Sequence, residues 1–217
     1  MTEPSYLTDT RHGYNAMALD YAAHFDGVHD KQFLGRAMLT AFAELTRDGG
    51  PVLDVGSGPG WVTWYLDSSG VKVSGVDLSS SMVALARETY PGLSFEEGSM
   101  LALDRPDASL AGLVAWYSII HIGPEDLPAV FAEFRRVLAP GGHLLLGFQV
   151  GDHVLHFDEG FGHTLSLDFR RLQPERVATQ LEEAGFAVQA RMVRAPDGEE
   201  KDPQAYLLAS TSQAAES

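Results

Sequence analysis

Cysteine is absent from the 217-residue chain. That excludes disulfides, zinc–thiolate sites and every thiol nucleophile. Basic residues are scarce, with 15 Lys and Arg against 30 Asp and Glu, and the formal net charge is −15. Nucleic-acid affinity comes largely from Lys and Arg on phosphates, so a field of this sign disfavours nucleic acids and acidic membrane surfaces as partners. No apolar run is long enough to span a bilayer. The first fifteen residues are polar and acidic, unlike a signal peptide, and the expected compartment is the cytoplasm. What remains is an ordinary globular balance, 45% hydrophobic and 21% charged, which fits a single domain.

Two helices are expected within 12–47. Tyr14, Ala18, Tyr21 and Phe25 recur at helical spacing, and Leu34, Ala37, Met38, Ala41 and Leu45 form a second stripe. From Val52 strands and helices alternate. Strands are expected at 52–55, 71–76, 93–96, 110–117 and 143–148, and helices at 59–67, 79–90 and 124–138, with Ser79 as N-cap. Residues 139–142 read as a turn. This rhythm predicts an α/β fold with a doubly wound, mostly parallel sheet and ligands at the carboxyl ends of its strands. Residues 149–163 read as a loop, 164–172 as a strand and 174–184 as a helix closed by Gly185. Two final strands, 186–193 and 205–210, have no helix between them and predict an antiparallel hairpin. A frayed tail is expected over 211–217.

The stretch VLDVGSGPGW, 52–61, runs a strand into a glycine-rich turn. Such turns commonly offer backbone N–H groups to a nucleotide-like ligand. The dinucleotide fingerprint G-x-G-x-x-G needs a third glycine at 61, where Trp61 would block close approach of helix and strand. The glycines Gly56, Gly58 and Gly60 with Asp54 before them resemble motif I of the class I S-adenosylmethionine-dependent methyltransferases. The resemblance extends to Asp77 in VSGVDLSSSM, to FEEGSM (95–100) and to LAPGGHLLL (138–146), covering about residues 50–150.

That resemblance implies a seven-stranded Rossmann-like sheet, a helical cap over 1–47, a cofactor-binding core over 50–148, a substrate lid over 149–172 and a terminal helix and hairpin over 173–210. It implies S-adenosyl-L-methionine as cofactor, held by Gly56, Ser57 and Gly58. Asp77 would take the ribose hydroxyls, Leu78 and Met82 would flank the adenine, and Ser99 and Met100 would hold its edge. Backbone groups of Trp116 and Tyr117 would approach the methionine end. Ser99 departs from the Asp common in the family.

The acceptor is expected to be an oxygen or nitrogen of a small metabolite. His121, at the end of the fourth strand, is the candidate general base, with a reference pKa of ~6.5; a His that only bonds the loop backbone is the alternative. Tyr14 and Tyr21 share a helix face and point either into the site or into the core. His153, His156, Phe161 and His163 lie in a stretch long enough to form a lid or to be an exposed polar loop. His153, His156 and Asp158 resemble a loosely spaced metal set, but the chemistry of the family that the chain resembles needs no metal and none is expected. A methyltransferase of proteins and a cofactor-binding module without turnover are the rival readings. Neither the acceptor nor the oligomeric state is legible.

Overall fold

The computed structural model describes residues 4–28 and 32–212. The helices are α1 (Ser5–Phe25), α2 (Phe33–Thr46), α3 (Trp61–Ser68), α4 (Ser80–Thr89), α5 (Leu127–Val137) and α6 (Pro174–Glu183). The strands are β1 (Val52–Val55), β2 (Val73–Asp77), β3 (Phe95–Glu97), β4 (Leu110–Trp116), β5 (Leu138–Gln149), β6 (Val154–Gly160), β7 (His163–Arg170), β8 (Phe186–Arg194) and β9 (Gln204–Thr211). Seven strands form one sheet in the order β3-β2-β1-β4-β5-β9-β8, and β6 and β7 pair separately. The pairs from β3 to β5 are parallel, whereas β9 is antiparallel to both β5 and β8.

Side chains alternate across the sheet with the period of two that a strand imposes. Val52, Val114 and Leu145 pack with Leu39 and Phe42 of α2 and Leu66 of α3. Leu53, Leu113, Leu144 and Leu146 pack on the other face with Phe131 and Phe134 of α5 and Leu181 of α6. Strand order reverses between β2-β1 and β4-β5, and a crevice opens there at the carboxyl ends of β1 and β4. Ser79 caps α4 by accepting the Met82 N–H at 3.1 Å, and Gly185 ends α6 with φ +88°.

Four expectations are corrected. The first helix begins at Ser5 rather than near 12, with Pro4 at its N-cap. Its buried face includes Thr10 and Gly13, which carry no apolar signal. Gly13 is there for closeness, since a Cβ would meet Leu167 of β7 at 3.0 Å. The stretch 139–142, expected as a turn, belongs to β5, where Leu110 pairs with Leu138 and Gly112 with His143 across a register shift. Residues 154–160, expected as loop, are β6. Most of that strand is exposed, so it shows no alternating pattern, and pairing with β7 creates it. Thr211, expected in the frayed tail, is instead the buried last residue of β9, and residues 213–217 of that tail lie outside the described residues. Among the described residues no helix is long and apolar enough to cross a membrane.

Candidate functional site

The turn after β1 and the chain leaving β4 meet at the switch point. A Cβ on Gly56 would sit 2.2 Å from Cβ of Ser118, and Gly56 has φ +74°. Ser118 Oγ donates to the Val55 carbonyl at 2.7 Å, tying the two crossings together. The turn does not present its N–H groups as the glycine pattern suggests. Those of Gly56 and Ser57 go to the Val76 carbonyl, and that of Gly60 goes to the Ser57 carbonyl. Gly58 donates to Asp77 Oδ2 at 2.7 Å. The glycines therefore supply closeness and left-handed φ rather than an anion-binding nest.

Asp77 ends β2 beside this turn, and Oδ1 accepts the Ser79 N–H at 2.9 Å. Burial raises its pKa, against the opposing pull of the N–H groups of Ser79, Gly58 and Leu78. Each carboxylate oxygen keeps acceptor capacity beyond its one backbone bond.

A cavity opens here, at the switch point of the sheet. It brings together Gly56, Gly58, Asp77 and Leu78 with Met82, Ser99 and Met100. Trp116, Tyr117 and His121 close it from β4, and Tyr14 and Tyr21 from α1. Ser57 is not on this wall; its Oγ is buried without a hydrogen-bond partner among the described residues. Tyr117 lines the cavity with φ +55°. Its N–H goes to the Gly147 carbonyl at 2.8 Å, so that group does not face a ligand. Its hydroxyl meets that of Tyr206 at 3.1 Å.

Leu7, Thr10, Ser118 and Ile122 also line the cavity and escaped the sequence reading. The first two lie in the unread start of α1. An i, i+3 pairing of Leu7 with Thr10 was the available signal, and Thr10 hides it because its hydroxyl is satisfied by the Tyr6 carbonyl at 2.7 Å.

His121 is 6% exposed in a short 3₁₀ turn, Ile119–His121. Nδ1 lies 2.9 Å from the Asp168 carbonyl of β7. A carbonyl only accepts, so Nδ1 carries the hydrogen and Nε2 is a lone-pair acceptor. Tyr14 O–H, 2.9 Å from Nε2, is then the donor. Burial pushes the His121 pKa down to about 4, aided by nearby Arg170 and opposed by the Asp168 carbonyl. Burial also pushes the Tyr14 phenol well up, with Tyr21 and Asp77 adding to it. At neutral pH both groups are uncharged.

The hairpin residues lie outside this wall. His156 is exposed and paired with Asp168 (2.7 Å) and Asp158 (3.1 Å). His163 pairs with Asp20 of α1 at 2.9 Å. His153 is exposed and its carbonyl accepts the Arg171 N–H at 2.8 Å. Phe161 is 43% exposed at the hairpin tip. No group of three or more His, Asp or Glu among the described residues is arranged to hold a metal ion.

Residues 52–142 match the family model described as a methyltransferase domain. The chain is 33% identical over 108 residues to malonyl-[acyl-carrier protein] O-methyltransferase of Erwinia billingiae, covering 50% of this chain and 42% of that one. It is 38% identical over 92 residues to demethylmenaquinone methyltransferase of Chlorobaculum parvum, covering 42% and 37%. The match thus spans about two fifths of the length of these curated relatives. In fold, the magnesium protoporphyrin IX methyltransferase of Synechocystis PCC 6803 with bound S-adenosylmethionine is similar over 98% of this chain and 100% of that one, with TM-score 0.74 and 17% identity.

Proposed function

We propose, on the match of residues 52–142 to a methyltransferase domain, that the chain is a class I S-adenosylmethionine-dependent methyltransferase and that it methylates an oxygen or nitrogen of a small metabolite. The observation that carries the reading is the Tyr14–His121 hydrogen bond, set in the same cavity as Asp77. S-adenosylmethionine, when bound, supplies an electrophilic methyl group on a sulfonium sulfur. The residues present suit it. Asp77 offers two partly occupied carboxylate oxygens to a vicinal diol. A Cβ on Gly58 would have nothing within 4 Å, so the backbone there stands open to a ligand. Leu78 and Met82 supply apolar surface for the adenine, with Ser99 and Met100 at its edge.

His121 acts through Tyr14. The Tyr14 proton is committed to Nε2, so toward the cavity the phenolic oxygen is an acceptor only. It accepts a hydrogen bond from the acceptor's O–H or N–H and aims the remaining lone pair at the methyl group; as the methyl–sulfur bond breaks and the new bond forms, the acceptor's proton is lost to solvent. Alignment of this kind is worth ~7–11 kcal/mol at most. An imidazole with a pKa near 4 is a weak base, so His121 is a positioning residue here. The charge of −15 favours small acceptors over nucleic acid, and the compartment on this reading is the cytoplasm.

The test is release of S-adenosylhomocysteine against a panel of phenols, carboxylates and amines. Wild type is expected to turn over a phenol or an amine, with no inflection near pH 6.5 in kcat/KM. Tyr14→Phe should lower kcat about 2- to 10-fold, the worth of one hydrogen bond, while affinity for S-adenosylhomocysteine by calorimetry stays within twofold. Tight cofactor binding with no turnover of any acceptor would make the chain a binding module and overturn the proposal.

A further inference from the structure

The β6–β7 hairpin closes through a two-residue turn, Phe161-Gly162, between the paired residues Gly160 and His163. Both turn residues have positive φ, +52° at Phe161 and +79° at Gly162. That is a type I′ turn, whose first central position favours Asn, Asp or Gly. A phenylalanine there is strained by about 1–3 kcal/mol. The turn itself gains nothing from the ring, and the ring is not buried, so neither turn chemistry nor core packing accounts for it.

The ring instead extends a file of aromatics. Tyr14 and Tyr21, on the cavity wall, meet edge to face at 5.6 Å. Tyr21 meets Phe25 at 4.5 Å and Phe161 at 6.4 Å. His24 bridges Phe25 at 4.9 Å and Phe161 at 5.3 Å. The file leads from the Tyr14–His121 pair to the partly exposed Phe161 at the surface. The hairpin is pegged to α1 by the His163–Asp20 pair and by Leu167 against Gly13, so the tip is held over the end of α1.

We propose that Phe161, with Tyr21 and His24, forms a subsite for the outer part of a planar, uncharged aromatic acceptor whose reactive atom lies at Tyr14. The inference rests on the methyltransferase reading and adds the acceptor's chemical class. Tyr21 meets both Tyr14 and Phe161 edge to face, and such contacts leave ring faces free to stack on a flat ligand. A one-ring acceptor reaches Tyr14 alone, and a larger one continues along Tyr21 to Phe161.

The experiment measures 2-naphthol and phenol binding by calorimetry, with and without S-adenosylhomocysteine, to wild type, Phe161→Asn and Phe161→Tyr. Phe161→Asn gives the Asn-Gly pair that a type I′ turn prefers, so its melting temperature should rise. Its 2-naphthol affinity should fall about 2- to 10-fold, the worth of one aromatic contact, with phenol affinity unchanged. Phe161→Tyr should keep the preference for 2-naphthol. Equal 2-naphthol affinity in wild type and Phe161→Asn overturns the subsite, whether or not the variant is more stable. Failure of S-adenosylhomocysteine to bind wild type overturns the methyltransferase reading instead, and the subsite with it.

Discussion

One wall of the cavity, from Gly56 to Met100, is made of turns whose shape is set by residues adjacent in sequence. The opposite wall, from Leu7 to Tyr21, is a helix held in position by a hairpin that begins more than 130 residues later. The first wall depends on exclusion, because side chains are missing where two loops cross. The second depends on attachment, through Tyr14 on His121, His163 on Asp20 and Leu167 on Gly13. A binding wall of the first kind is intolerant of added atoms, and one of the second kind of lost contacts.

The largest test of that contrast is Gly56→Ala. The added Cβ meets Ser118 at 2.2 Å in a left-handed conformation, and overpacking plus strain predict a loss of about 2–5 kcal/mol in denaturant unfolding. Gly58→Ala, with φ +52° and open space around its Cβ, should lose only about 1–2 kcal/mol. Equal losses at the two sites would erase the distinction between exclusion and φ.

Next is Asp77→Ala, which removes acceptors without adding atoms. Affinity for S-adenosylhomocysteine should fall by about 1–3 kcal/mol, the penalty for unpaired hydroxyls in a partly buried site. Unchanged affinity in calorimetry would remove the ribose role from Asp77.

The last test varies pH and concerns Asp54, behind the turn. It is fully buried, its Oδ2 accepts the Thr63 hydroxyl at 2.7 Å, and Oδ1 is without a hydrogen-bond partner among the described residues. Burial raises its pKa from 3.8 to about 7. A raised carboxyl pKa means that the folded state holds the proton more tightly. The associated stability is full below pH ~4 and is lost as pH rises through about 7, with a slope of at most ~1.4 kcal/mol per pH unit. Asp54→Asn should remove that slope between pH 5 and 7. Parallel stability curves for the two proteins would mean that Asp54 does not titrate there.

The same contrast explains what could be read from the chain. The sheet from β1 to β5 follows from local signals: apolar runs, the Ser79 cap and the glycine turn. The β8–β9 hairpin followed from two strand patterns with no helix between them. Asp77, Met82, Ser99 and Met100 line the cavity because each sits at a strand end or just beyond it. The start of α1 and strand β6 were not legible, because Thr10, Gly13 and an exposed strand carry no periodicity without their partners. The internal use of the turn's N–H groups was also hidden, since the acceptors at Val76 and Asp77 belong to another strand.

Helix α1 is the roof of the cavity and it hangs from polar pegs: Tyr6 on Asp126 at 2.6 Å, Tyr14 on His121, and Asn15 on the Ser79 hydroxyl at 2.7 Å. Each such bond contributes a net ~0.5–1.5 kcal/mol, and the buried Leu7, Met17 and Ala18 anchor the same helix through apolar contact. If a molecule is to pass beneath α1, these pegs must release together. Hydrogen exchange of the amides from Leu7 to Tyr21 would read that release directly, with no knowledge of the molecule that passes.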